Sequence, residues 1–147
     1  MRVLVAVDGS DAAKNALEHA IDVADAMDAT ITVVHAVDPN VYEYGGTDPV
    51  VSLADADRRL VVEKIEDAEE RAMTLLEEFD ASADELGTSV ETELLYGDPV
   101  EAITDYADEF DALFVGHRGR SERTEQLLGS VAKAIVERVT IPVTVVR

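Results

Sequence analysis

Apolar residues along this chain gather into five short runs, at 2–7, 30–37, 89–95, 111–115 and 142–146. The runs are rich in valine and nearly continuous in apolar character, the pattern of strands buried on both faces of a parallel sheet. Between them the apolar positions recur every three or four residues. From 10 to 29, Ala13, Ala16, Leu17, Ala20, Ile21, Ala24 and Met27 fall on one helical stripe, and Ser10 or Asp11 can cap its start. A long acidic helix is predicted over about 53–86, with Leu60, Ile65, Ala68, Ala72, Leu75, Leu76 and Phe79 as its inner face and Gly87 as its stop. Asp98-Pro99-Val100-Glu101 opens a third helix, with aspartate as cap, proline at the first helical position and Glu101 placed to close a capping box. The last helix is predicted over 129–139 and ends before Pro142.

Strand and helix therefore alternate from end to end, which predicts one α/β domain over residues 1–147. Its expected form is a doubly wound, five-stranded parallel sheet of order 3-2-1-4-5 with helices on both faces, the simplest order that right-handed crossovers allow. One irregular stretch, 38–52, is long enough to be either a functional lid or a mobile loop.

Composition narrows the function classes. With 147 residues, 47% of them hydrophobic, the chain can bury a core without staples, and the absence of cysteine excludes disulfides, thiolate metal sites and a cysteine nucleophile. The apolar run at the N-terminus is too short for a signal peptide or a membrane span, so a cytoplasmic protein is expected. Thirty-two acids against twelve Lys and Arg give a formal charge of −20. A field of that sign works against nucleic acid and anionic membrane as partners. Acids in every segment, with only Lys14, Lys64 and Lys133 as lysines, point to a halophilic chain whose self-repulsion is screened by cytoplasmic salt. An ordinary acidic cytosolic protein is the alternative.

In an open α/β sheet the ligand crevice lies beyond the strand carboxyl ends, where the strand order reverses. Here that point falls between strand one, ending Val7-Asp8-Gly9-Ser10, and strand four, ending Val115-Gly116-His117-Arg118-Gly119. Gly116 and Gly119 allow close backbone approach, Arg118, Arg120 and Arg123 follow within a few residues, and Gly129-Ser130 begins the last helix. A helix start with a serine hydroxyl suits an anion. Singly, each feature is as well explained by a turn, a helix cap at Ser130 or surface ion pairs; together at a switch point they favour an anion site. His35 and His19 read more simply as packed or exposed histidines.

The spacing Gly116-x2-Gly119-x9-Gly129-Ser130 is similar to the phosphate-loop signature of nucleotide-binding universal stress proteins. The resemblance runs along the whole chain, through residues 5–10, 33–38 and 141–147 as the family's first, second and closing strands. It implies ATP or AMP as ligand, with Asp8 beside the adenine edge and Ala6 and Ala36 packing near the base. It further implies Val115 and Gly116 against the nucleoside, and His117, Arg118 and Gly119 by the ribose and phosphates. Gly129, Ser130 and Val131 would bind phosphate through amides and the hydroxyl, and Mg²⁺ would be held through the phosphates. The family more often carries serine where this chain has His117, which brings a titratable group to the loop. Family members commonly pair the closing strand across a two-fold axis, so a homodimer is implied, and a stress-response or regulatory role with it.

There is no Walker A lysine motif and no evident water-activating base, so no catalytic residue is assigned and slow ATP hydrolysis is the most that is expected. The main alternative is a dimeric regulator that binds a protein partner without nucleotide. A phospho-receiver domain is disfavoured because strand three ends Leu94-Leu95-Tyr96-Gly97 without a phosphoacceptor and Asp8 has no adjacent acid. A dinucleotide oxidoreductase is disfavoured because the first turn lacks G-x-G-x-x-G.

Overall fold

A computed structural model describes residues 1–40, 65–118 and 128–147. Its strands are β1 (Arg2–Ala6), β2 (Thr30–Val37), β3 (Glu91–Tyr96), β4 (Ala112–Gly116) and β5 (Val143–Val146). They pair in parallel in the order β3-β2-β1-β4-β5. The helices are α1 (Asp11–Met27), α2 (Ile65–Glu85), α3 (Pro99–Ala107) and α4 (Ser130–Arg138). The predicted alternation and strand order are both present. Residues 41–64, which include most of the 38–52 stretch, the start of the predicted acidic helix and Leu60, lie outside the described residues.

Period-two alternation sorts the strand side chains into two cores. Val3 and Val5 of β1, Ile31 and Val33 of β2 and Phe114 of β4 meet Ala16, Leu17, Ala20 and Ile21 of α1 and Leu76 and Phe79 of α2. Leu4, Val34, Leu113 and Val115 point the other way and meet Ile103 and Ala107 of α3 and Ala132 and Ile135 of α4. So α1 and α2 cover one face, and α3 and α4 the other. Leu4, Leu17, Leu113 and Ile135 are fully buried, each contributing about 1.5–3 kcal/mol of apolar transfer. Among the described residues, no helix is long and apolar enough to cross a membrane.

Local chemistry sets the helix starts. Ser10 Oγ accepts from the Ala13 N–H at 3.1 Å, so Ser10 rather than Asp11 caps α1. Asp98 Oδ2 accepts from the Glu101 N–H at 3.1 Å, with Pro99 at the first position of α3. Gly87, at φ 80°, takes the left-handed turn that follows α2. At α4 the cap is Gly129, which supplies no side-chain bond, so Ser130 is the first helical residue and not the cap.

Two expectations are corrected by position. Met27 is 59% exposed although it continues the α1 stripe, because the helix ends there, with Asp28 turning left-handed at φ 54°. Burial on both faces holds for β1, β2 and β4 only. β3 and β5 are the sheet edges, each with one strand neighbour, and Glu91, Thr92, Glu93, Tyr96 and Val145 are exposed.

Candidate functional site

The chain leaves β1 toward α1 on one face and leaves β4 toward α4 on the other. The gap between the two strand ends is where a ligand crevice forms in such sheets. A cavity of about 370 Å³ opens there. Its floor is apolar, from Ala6 of β1, Ala36 of β2 and Val115 of β4, and its sides are Ile103 of α3 and Ile135 of α4. Asp8, Arg118 and Ser130 bring polar groups to it, and Val131 stands beside Ser130.

Asp8 is held by the turn it makes. Its Oδ1 accepts from the Ser10 N–H at 3.0 Å, and Gly9 between them has φ 81°. At the opposite wall, the first bond inside α4 runs from the Lys133 N–H to the Gly129 carbonyl at 2.9 Å. The amides of Val131 and Ala132 come before that bond and have no acceptor within the helix, so the positive end of α4 meets the cavity. A phosphate or carboxylate is the group such an end attracts.

Eight of the expected residues are brought together around this cavity: Ala6, Asp8, Ala36, Val115, Gly116, Arg118, Ser130 and Val131. His117 and Gly129 are not on its lining. The Gly129 N–H donates to the His117 carbonyl at 2.6 Å, and the His117 N–H donates to the Val146 carbonyl at 2.7 Å. These two residues tie the end of β4 to β5 and to the start of α4, and the Gly129 amide expected for phosphate is already committed. Gly119, Arg120 and Arg123 lie outside the described residues.

Gly116 has a second reason to be glycine. A Cβ built there would stand 2.9 Å from both the carbonyl carbon and the Cβ of Ala12, so α1 packs directly on the β4 backbone. The His117 ring is also specific in its contacts. Its Nε2 lies 2.7 Å from Arg118 Nε, while its Nδ1 is buried with no hydrogen-bond partner among the described residues. Leaving a buried polar atom unmatched costs about 1–3 kcal/mol.

His35 is half-buried, lines the cavity and is anchored by one hydrogen bond. Its Nδ1 is 2.7 Å from the Val7 carbonyl, which can only accept, so the ring hydrogen is on Nδ1. Sequence reasoning missed the far walls of the cavity, Pro99, Ile103 and Ile135. Their signal was available in part, because Pro99 and Ile103 open the helix that follows β3 and face the same crevice.

A larger cleft of about 1050 Å³ adjoins the cavity through Asp8, His35, Ala36 and Pro99 and runs along α2. Among the described residues its lining carries Asp8, Asp38, Asp67, Glu70, Glu78 and Asp98 against one arginine, Arg71. That excess of carboxylates repels an anion, so the smaller cavity, with Arg118 and the α4 terminus, is the better anion site in spite of its size. Among the described residues, no group of three or more His, Asp or Glu side chains is arranged to hold a metal ion.

Residues 1–147 match the model of the universal stress protein family. A universal stress protein of Thermus aquaticus is 35% identical over 147 residues, covering 99% of this chain and 97% of that protein. Among solved structures, a universal stress protein in complex with cAMP is 27% identical with a TM-score of 0.67, covering 100% of this chain and 96% of the other. The universal stress protein from Archaeoglobus fulgidus in complex with dAMP is 25% identical with a TM-score of 0.66, covering 100% of this chain and 98% of the other.

Proposed function

This chain belongs to the universal stress protein family, and on that premise we propose that it is a regulatory module that binds an adenine nucleotide, AMP or ATP, at the crevice between β1 and β4. The observation that carries the reading is the pairing of unlike walls in one cavity. Ala6, Ala36 and Val115 offer an apolar surface to a purine, and a helix terminus with Arg118 beside it offers charge to a phosphate. Relatives crystallised with dAMP and cAMP support the same ligand class. In this reading Asp8 faces the base edge and the α4 amides from Ser130 and Val131 take the phosphate. Gly119 is expected beside the phosphates, and Gly129 serves through its backbone. A Mg²⁺ ion would arrive with the phosphates of ATP.

The same proposal covers assembly and setting. β5 is an edge strand with Val145 37% exposed, which suits pairing with the β5 of a second copy to give a homodimer. The acidic surface suits a salty cytoplasm.

Calorimetric titration of AMP, ATP and GMP tests the reading, in high-salt buffer with Mg²⁺, on wild type and Ala36→Phe. Wild type is expected to bind both adenine nucleotides saturably and GMP more weakly. Filling the cavity floor with phenylalanine is expected to weaken AMP at least tenfold, which is about 1.4 kcal/mol. No binding at millimolar nucleotide would sink the reading and leave a dimeric protein-binding regulator in its place.

A further inference from the structure

The contact between Arg118 and His117 fixes the state of both side chains. A guanidinium stays protonated at any accessible pH, so the hydrogen in the 2.7 Å bond belongs to Arg118 Nε and His117 Nε2 is the acceptor. The imidazole in this bond is therefore neutral and carries its own hydrogen on Nδ1. That Nδ1 is the buried atom with no partner among the described residues. A ring kept only to fill space would be better replaced by an apolar side chain, which leaves no donor unmatched. What this ring does satisfy is Arg118.

The ring is also well anchored. The two backbone bonds of His117, to Val146 and from Gly129, fix its root against β5 and the start of α4. Arg118 lines the cavity beside Ser130 and Val131. With Nε turned to His117, the Nη1–Nη2 edge of the guanidinium is the edge directed away from the ring. That end-on edge matches two oxygens of one phosphate group.

We propose that His117 is a positioning residue that turns Arg118 so that its Nη edge receives the phosphate of a nucleotide in the cavity. The proposal rests on the nucleotide-binding reading above. Through Arg118, the side chain that follows Gly116 then selects phosphorylated over unphosphorylated nucleosides.

The test compares AMP with adenosine, by calorimetry on the full chain, for wild type, His117→Phe, His117→Gln, Arg118→Met and the double variant His117→Phe/Arg118→Met. Wild type is expected to prefer AMP, and His117→Phe to lower the AMP-to-adenosine affinity ratio by about tenfold, within the range for directly coupled neighbours. His117→Gln, whose amide oxygen can accept from Nε, is expected to restore most of the ratio. The double variant is expected to match Arg118→Met alone, because the histidine acts only through the arginine. A His117→Phe protein that loses affinity for both ligands in proportion, or a double variant whose losses add, would show a merely structural ring and overturn the proposal. Imidazole nitrogen NMR of the ligand-free protein supplies a reading independent of nucleotide. A hydrogen on Nδ1 of His117 is expected, and one on Nε2 in its place would overturn the pair. Wild type that binds neither AMP nor adenosine would instead remove the nucleotide reading, and this proposal with it.

Discussion

The α-carbon hydrogen of Gly116 points at Ala12, and the space for anything larger is not there. A methyl group would sit 2.9 Å from Ala12 and 3.0 Å from the Ala13 nitrogen, inside contact distance of helix backbone that cannot swing aside. Gly116→Ala is therefore expected to destabilise the fold by about 1–3 kcal/mol through overpacking, measured by urea denaturation without ligand. Unchanged stability would mean that α1 can lift from β4 at little cost. The spacing of glycines in the sequence marks position 116, but it suggests a ligand as the neighbour. The helix that also requires glycine there is a long-range contact, which no local pattern reveals. Arg118 and His117 behave alike in this respect. Both residue types are visible in the loop, yet only the folded geometry turns one ring nitrogen onto the guanidinium and leaves the other buried.

Among the elements, what was legible came from short-range rules. Valine-rich runs became strands within a residue or two, and Asp98-Pro99 started α3 where a cap and a first-turn proline should. The caps themselves can be tested. Ser10→Ala and Asp98→Ala each remove one side-chain acceptor from a helix start and are expected to cost about 1 kcal/mol, read as a fall in the denaturation midpoint. An effect of a few tenths would indicate that water replaces the hydroxyl or carboxylate fully. The expected order put β3 and β5 at the edges; what was not legible in a strand's own residues was that place. β3 carries Leu94 and Leu95 like an interior strand, but Glu91 and Glu93 precede them, and its place outside β2 leaves that half exposed. Strand order follows from crossovers and helix packing, so the sequence of one strand cannot state its own neighbours. The cavity was legible because strand order reverses there, between Asp8 and Gly116. Its far walls on α3 and α4 were not, because they depend on how the helices on that face converge.

Over the whole molecule, charge is the dominant unbalanced quantity. A formal charge of −20 on 147 residues makes like-charge repulsion a general load on the folded state, and the acids are felt individually too. Burial, and then the carboxylates of Glu93 and Glu109, raise the Tyr106 phenol above its ordinary value. Because the Debye length shrinks from about 10 Å at 0.1 M salt to about 3 Å at 1 M, the thermal midpoint is expected to climb as KCl is raised across that range. A flat or falling midpoint would argue against a chain adapted to salt. The same uneven charge gives the two rims of the sheet opposite characters. One rim, β5, is built of Val143, Thr144, Val145 and Val146, while the other, β3, begins with exposed Glu91 and Glu93. Joining two copies at the valine rim leaves only glutamate rims facing outward, and those repel one another. In the proposed dimer, strand addition would then end after one step at low ionic strength, where those carboxylates are unscreened, and no ribbon is seeded.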